Sequence, residues 1–372
     1  MSNVNEMGGY ERLRADVVDR KLCTFCGACI SACLLRHLEW AGEPLRTERK
    51  AACEDCLICY EACPVRGEIG DDEVFGEKRR DRFLGVYRRI VAARSEDEEI
   101  VRNAQDGGVV STILKHLMKS YVDGAIVVKK QDDWAPLPSV AKDVDDVLAA
   151  GKTKFGISPN LMLIRDAVLD DYLDRICVVG MPCHVRGVRH LQRMKFELAP
   201  AIKFVIGLFC RENYEYDALR RYVESIMHDI SAVRKFSVVE DAMLVHFDDE
   251  TLSIPITEVK KWVPRHCLLC EDFASELADI SVGCDGSPEG FSTVIIRTEH
   301  GERVFTEIEE EGLLKTTSAD LSTIRDIAKR KKEKAEQTSR IYALRDENKS
   351  VEEIAEQLGI EQSTVIHRLE KY

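Results

Sequence analysis

Two runs of the form C-x2-C-x2-C-x3-C constrain this chain more than any other feature. The first is Cys23, Cys26, Cys29 and Cys33 in "CTFCGACISAC". The second is Cys53, Cys56, Cys59 and Cys63 in "CEDCLICYEACP", where Pro64 follows. Four thiolates at this spacing hold a cubane [4Fe–4S] cluster. Disulfides would need an oxidising compartment, and the polar N-terminus "MSNVNEMGGYERLRADVV" carries no secretory signal. Zinc favours pairs of cysteines, often with histidine, over runs of four.

The runs resemble bacterial-type ferredoxins over roughly residues 18 to 70. In two-cluster ferredoxins the fourth cysteine of each run ligates the other cluster. The resemblance assigns Cys23, Cys26, Cys29 and Cys63 to one cluster and Cys53, Cys56, Cys59 and Cys33 to the second. His37, Trp40 and the charged stretch to Lys50 lengthen the link between the runs, which loosens the loop without removing ligands. Residues 1–78 are expected to form this domain with a charged linker, "EIGDDEVFGEKRRDR", ending near Arg80.

The chain has 372 residues, enough for two or three domains. With 45% hydrophobic and 32% charged residues it has the balance of a soluble globular protein. No apolar run approaches the roughly 18 residues of a membrane helix. A net charge of −13 argues against broad binding to nucleic acid. Fourteen cysteines without a leader point to metal clusters in a reducing cytoplasm.

From Leu84 the character changes. "LGVYRRIVAARS", "GAIVVKK", "RICVVG", "IKFVIGLFC" and "STVIIRT" read as strands. "VVSTILKHLMKSYV" and "MLIRDAVLDDYL" lie between them with helical periodicity. The expected fold class is therefore α/β (α+β) and multidomain. It has an N-terminal ferredoxin-type domain, a central mixed-sheet domain over residues 79–338 and a small C-terminal appendage over 339–372. Residues 320–338 read as a charged helix leaving the central domain. In the appendage Ser350 and Glu353 form a capping box. Val351, Ile354, Ala355 and Leu358 share a helix face, Gly359 stops that helix, and a second carries Val365, Ile366 and Leu369. This is a helix-turn-helix pattern. Its second helix is not basic, which argues against DNA as the partner.

Six cysteines lie outside the two runs. Cys183 follows the strand "ICVVG", Cys210 ends "FVIGLFC", and Cys267 and Cys270 form "CLLC". These four can converge as a third thiolate set. By spacing alone, small hydrophobic core residues or a redox dithiol fit as well. Cys177 reads as core, and Cys284 has no evident partner. Gly107 and Gly108 open a helix whose N–H groups suit an anionic phosphate, or make an ordinary turn. "AAGKTKFGISPNL" offers Lys152 and Lys154 beside glycines. Neither G-x-G-x-x-G nor a P-loop occurs, which argues against standard NAD binding and ATP hydrolysis.

The succession "AQDGGVVSTIL", "GKTKFGISPNLMLI", "VGMPCHVRGV", "IGLFCREN", "CLLCEDFASELADISVGCDGSPEGFSTVIIRT" and "AKRKKEKAE" resembles the coenzyme F420 hydrogenase/dehydrogenase beta-subunit family over roughly residues 84 to 338. The resemblance implies a core holding FAD and one [4Fe–4S] cluster, with coenzyme F420 docking on the flavin. It implies Cys183, Cys210, Cys267 and Cys270 as cluster ligands, for three clusters in all. It implies Gly107, Gly108, Ser111, Lys154, Ser158, Asn160, Ser292 and Thr293 as flavin contacts. Phe155 stands where the family usually has tyrosine, and Cys284 is expected not to be a ligand. With the N-terminal clusters, the whole resembles the F420H2-oxidising input subunit of F420H2 dehydrogenase. The expected partner is a redox protein or larger electron-transfer complex, in the cytoplasm or peripheral on the cytoplasmic side of a membrane complex. The alternatives are an F420:ferredoxin oxidoreductase, a redox-sensing DNA-binding regulator and a pure electron relay. Arg186, Arg189, His190, Arg193 and Lys195 form a basic run suited either to the anionic tail of F420 or to a solvated helix face.

Overall fold

The computed structural model describes residues 7–47, 53–76, 80–226, 229–239 and 241–372. Lys50 and the expected boundary at 78/79 lie outside them. An eight-stranded mixed sheet organises the chain. Its strands are β1 (Arg89–Ser95), β2 (Gly124–Lys130), β3 (Pro136–Ala141), β4 (Ile176–Gly180), β5 (Ile202–Leu208), β6 (Ile280–Gly283), β7 (Ser292–Ile296) and β8 (Leu314–Thr317). Their order is β8-β1-β7-β6-β5-β4-β2-β3. The pairs β2–β4, β4–β5 and β5–β6 are parallel, and the flanking pairs antiparallel.

Parallel strands need cover on both faces, so they read as continuous apolar runs. Every residue of β4 is buried. Ile176, Val178 and Val205 face one core, with Ile164, Val185 and Leu191 from the helices Leu163–Leu169 and Pro182–Arg193. Cys177, Val179 and Phe204 face the other, with Ile113 and Phe305 from Val109–Ser120 and Glu299–Glu310. Cys177 is thus core, as its apolar strand implies.

The first cysteine-rich region is seated on this body. Cys26, Ala28, Ala32, Ala62 and Phe75 share a core with Ile126, Leu161 and Val188. The Leu161 N–H donates to Cys26 O at 2.9 Å. The buried Arg165 guanidinium donates to Ile30 O at 3.2 Å and Cys33 O at 2.8 Å. Gly27 makes the seat possible: at φ +87°, a Cβ there would lie 2.6 Å from both Met162 N and Pro159 O. The segment expected to be a linker contains the helix Asp71–Phe75, and Phe75 is buried. Ile69 and Val74 pack beside Phe75, and these three scattered apolar residues anchor a charged stretch in which periodicity shows no helix.

Two further departures concern the centre and the end. Lys235–Val238, Ala242–His246 and Thr251–Pro255 form a separate antiparallel sheet. It closes a core of Phe236, Met243, Ile254, Trp262 and Trp134. At the C-terminus, one helix runs unbroken from Leu321 to Asp346, across the expected boundary at 338/339. Its stripe of Ile324, Ile327, Ala328, Ala335 and Thr338 is buried, so it runs along the body and does not leave it. The expected helix pair follows, Val351–Leu358 and Gln362–Leu369, with the Ser350–Glu353 box formed and Gly359 at φ +65°. Ile341, Ile354 and Val365 pack there with Leu269 of the C-L-L-C loop. Among the described residues, no helix is long and apolar enough to cross a membrane.

Candidate functional site

The carboxyl ends of parallel strands are where an open α/β sheet presents its loops, and cysteines follow two such ends. Cys183 lies in the first turn of the helix Pro182–Arg193, just beyond the residue that leaves β4. Pro182 starts that helix, where its missing N–H costs nothing. The unpaired N–H groups and dipole there favour a thiolate. Cys210 follows β5, fixed by its N–H on Phe273 O at 2.9 Å. Cys267 lies in the short helix Arg265–Leu268, and Cys270 closes the turn behind it, with its N–H on Cys267 O at 3.3 Å. All four line one cavity of about 40 Å³, together with Ser158, Met181, His184, Asn213 and Lys331.

Lys331 is a residue that the sequence patterns did not single out. It sits in the buried stripe of the long helix and is 9% exposed. Its Nζ donates to Cys210 O at 2.6 Å and Asp272 O at 2.8 Å, tying together two of the loops that carry or flank cysteines. Burial alone would lower its pKa, but the thiols of Cys270, Cys210 and Cys267 outweigh this and hold it above the ordinary lysine value.

Burial pushes the thiols up: Cys210 to about 11, and Cys183 well above its usual value. Four thiolates do not persist in such a pocket without a cationic centre, and Lys331 supplies one charge. Among the described residues, no group of three or more His, Cys, Asp or Glu is disposed to hold a single metal ion. The donor set and its counter-charge fit the cubane.

Among the N-terminal cysteines, Cys63 lies within electrostatic reach of Cys26 and Cys23, and Cys59 within reach of Cys56 and Cys33. The Cys29 thiol is raised by burial and then by Cys26, Cys23, Cys63 and Cys59. Cys59 is raised to about 12 by burial, then by Cys56 and Cys33. His37 adds what the sequence did not show. Its Nδ1 lies 3.0 Å from Cys53 Sγ, and its N–H donates to Cys33 Sγ at 3.3 Å, so it joins two members of one group. The groups are contiguous with the central cavity. Burial and then Cys210 and Cys26 raise Cys183, and a Cβ on Gly187 of the Cys183 helix would stand 3.5 Å from Cys26 Sγ.

The expected flavin residues divide between two places. Gly107 N–H donates to Ser292 Oγ at 3.1 Å, and Thr293 Oγ1 to Asp285 O at 2.8 Å. Gly107, Gly108, Ser292 and Thr293 are buried, with Ser111 half-buried in the first turn of the next helix. The need for glycine at 107 is structural: a Cβ would lie 2.4 Å from Ala93 O. Ser158 instead lines the cysteine cavity. Among the described residues Ser158 Oγ and Asn160 Oδ1 are buried without a hydrogen-bond partner, the condition expected of atoms aimed at a bound group. His184 Nε2–H donates to Ser158 O at 2.8 Å and fixes that loop. Lys154 Nζ donates to the carbonyls of Ala150, Gly151 and Lys152. Gln105 links this loop to the glycine pair, accepting from Thr153 N–H at 3.1 Å. Phe155 packs against Tyr214 and Phe236. Cys284 is exposed.

Three side chains of the basic run after Cys183 are engaged within the protein. Arg189 donates to Leu277 O at 2.8 Å and lies 3.4 Å from Asp279. His190 donates to Gly67 O and Arg193 to Glu68 O, at 3.0 and 2.8 Å. The last two side chains clamp the N-terminal region to the body.

Comparison with known proteins matches two stretches to the beta subunit of the coenzyme F420 hydrogenase/dehydrogenase family: residues 90–165 to its N-terminal part and 173–322 to its C-terminal part. Residues 341–371 match the bacterial regulatory protein, arsR family. The coenzyme F420 hydrogenase subunit beta of Methanothermobacter thermautotrophicus is 34% identical over 68% of this chain and 94% of its own length. An F(420)H(2) dehydrogenase subunit of Methanosarcina mazei is 31% identical over 80% of this chain and 85% of its own. The coenzyme F420-dependent sulfite reductase of Methanocaldococcus jannaschii is 34% identical over 82% of this chain, which spans only 49% of that protein. A chain of the F420-reducing [NiFe] hydrogenase complex from Methanosarcina barkeri superposes with a TM-score of 0.68 at 33% identity. The match covers 70% of this chain and 94% of that one.

Proposed function

Because the chain belongs to the coenzyme F420 hydrogenase/dehydrogenase beta-subunit family, we propose that it exchanges hydride between coenzyme F420 and a bound FAD, and that electrons pass singly to or from a redox partner through three [4Fe–4S] clusters. Flavin supplies the conversion between two-electron hydride and one-electron chemistry, and the protein supplies binding, orientation and tuning. The observation that carries this reading is contiguity. The Cys183–Cys210–Cys267–Cys270 cavity abuts Cys26, whose group in turn reaches Cys59 through Cys29.

Each residue then has a task. Cys183, Cys210, Cys267 and Cys270 hold the central cluster. Cys23, Cys26, Cys29 and Cys63 hold the next, and Cys53, Cys56, Cys59 and Cys33 the outermost. Lys331 balances the central thiolate charge and fixes the Cys210 and Asp272 loops. Gly107, Gly108, Ser111, Ser292 and Thr293 line the flavin on one side, and Lys154, Ser158 and Asn160 on the other. The Ser158 hydroxyl and Asn160 carbonyl, which lack protein partners, supply polar contacts there. His37 orients the outermost set.

The partner is a redox protein or complex that exchanges electrons with the N-terminal region, in the cytoplasm or at the cytoplasmic face of a membrane complex. An F420:ferredoxin oxidoreductase uses the same chain in the same way and differs only in that partner. The arsR-family match at 341–371 favours a second reading, a redox-sensing DNA-binding regulator. Against it, Arg368 of the second helix is part-buried near Glu212 and Tyr342, and so is withdrawn from solvent.

The test is anaerobic purification followed by iron analysis, an absorption spectrum and F420H2 oxidation with an artificial acceptor. Three clusters require about twelve irons per chain, with a flavin band beside the iron–sulfur shoulder. About eight irons, unchanged in Cys267→Ser, removes the central cluster. A spectrum without flavin leaves a pure relay, and a specific duplex retarded at physiological salt favours the regulator.

A further inference from the structure

Hydrogen bonds draw lysines together at one place in this acidic chain. Lys152 Nζ donates to Arg234 O at 3.2 Å. The next residue, Lys235, sends its Nζ to Gln105 O at 2.8 Å. Gln105 closes the circuit by accepting from Thr153 N–H, between Lys152 and Lys154. Lys130 joins from β2: its Nζ stands 4.6 Å above the Trp134 ring, and Trp134 Nε1–H donates to Val233 O, next to Arg234. The 150–154 loop is held in this shape. Gly151 is pressed against Asn103 O, where a Cβ would lie at 2.1 Å, and Lys152 adopts φ +63°.

Among the described residues, none of these four ammonium groups has a carboxylate within 4.0 Å, while other lysines of the chain, such as Lys129 with Asp146, are paired. Their partners are backbone carbonyls and one aromatic ring. Burial and, after it, mutual repulsion depress two of these ammonium groups. Burial, then Lys130, lower Lys154 to about 7, and burial, then Lys130 and Lys235, lower Lys152. Asp106 lies near Lys235 without forming an ion pair. Like charges gathered on a protein of net charge −13 leave a local field that a multivalent anion relieves.

We propose that Lys130, Lys152, Lys154 and Lys235 form a subsite for a phosphate-bearing polyanionic tail, whose ring system lies toward the cysteine cavity. The reach is right. Lys154 precedes Ser158, which lines that cavity, by so short a stretch that the chain between them spans at most about 14 Å. This rests on the redox reading above and deepens it. It also replaces the run after Cys183, in which Arg189 is engaged on the body and Arg193 on the N-terminal region. Two ligands carry the chemistry: the pyrophosphate of FAD, and the tail of F420 with its phosphate and glutamates.

The experiment compares the full chain with Lys152→Gln/Lys235→Gln and with the charge-retaining Lys152→Arg/Lys235→Arg, all verified as folded by circular dichroism. The probes are inorganic pyrophosphate, F420 and the deazaflavin chromophore without its tail. Pyrophosphate should raise the melting temperature of the native and arginine proteins and not of the glutamine protein. F420 should bind the glutamine protein about tenfold more weakly or worse, with a flatter salt dependence, while the tail-less chromophore binds all three alike. If instead the glutamine protein loses FAD on purification and keeps its F420 affinity, the subsite holds the dinucleotide pyrophosphate. Pyrophosphate stabilisation and F420 affinity unchanged in the glutamine protein overturn the proposal. A native chain stabilised by pyrophosphate that binds neither F420 nor the tail-less chromophore keeps the anion subsite and removes the F420 reading.

Discussion

At the scale of single residues, the central site depends on a cation that the cysteines alone do not announce. Lys331 donates to two carbonyls on loops that carry or flank the ligands, and it is buried among thiols. Replacing it by methionine keeps the volume and removes both the charge and the donors. An unpaired buried carbonyl and an unbalanced thiolate set together cost on the order of 3 kcal/mol. Lys331→Met should therefore lower the melting temperature by several degrees and drop iron from about twelve to about eight per chain. Where the cluster is retained, its midpoint potential in an EPR-monitored titration should fall, because a nearby positive charge favours the reduced state. Lys331→Arg should preserve iron content. If the methionine variant keeps iron, potential and stability, Lys331 is an ordinary helix residue.

At the scale of elements, two contacts decide how the parts are joined. The helix Pro182–Arg193 clamps the first cysteine region through His190 and Arg193. Gly67 O can only accept and Arg193 Nη2 donates at 3.1 Å to the other ring nitrogen, so His190 is held neutral. Burial lowers its pKa to about 4 from 6.5. The folded state then binds fewer protons than the unfolded one between these values. Stability is full above pH 6.5 and declines as pH falls toward 4. Denaturation midpoints measured across that window should show the decline, and His190→Gln should make it shallower, with His184 and His266 contributing the rest. The second contact is at the C-terminus. Leu269 sits in the core of the helix pair, and the Arg265 guanidinium lies 4.5 and 4.7 Å from the Tyr342 and Tyr372 rings. A cut after Thr338 falls inside the Leu321–Asp346 helix and bares the C-L-L-C loop. The truncated chain should lose central iron and F420H2 oxidation. Full activity with an artificial acceptor would return the segment to a role in partner docking only.

At the scale of the whole molecule, the first cysteine region and the sheet share one core, in which Cys26, Ala62 and Phe75 pack with Ile126 and Leu161. The chain should therefore unfold as one unit. Thermal transitions followed by far-ultraviolet dichroism and by cluster absorbance at low denaturant should coincide. Loss of cluster absorbance well before the loss of secondary structure would show that the N-terminal region is a tethered and separable domain.

The sequence by itself determined five of the eight strands of the main sheet, the helices Val109–Ser120 and Leu163–Leu169, and the two four-cysteine runs near the N-terminus. Each is a local pattern: alternation or continuity of apolar residues, or a fixed spacing of thiols along a few residues of chain. It also located the capped helix pair, because Ser350, Glu353 and Gly359 act within their own turns. Only the tertiary structure decided what those elements face. The basic run after Cys183 reads equally as anion site or solvated face, and its His190 and Arg193 became a clamp because Gly67 and Glu68 arrive from more than a hundred residues away. Lys152 and Lys235 are distant in sequence and meet because a three-stranded sheet folds back onto the 150–154 loop. Lys331 looks like one of several lysines on a charged helix until that helix lies against the cysteine loops. Charge and burial are properties of the surroundings, and for these residues the surroundings are supplied by chain remote in sequence.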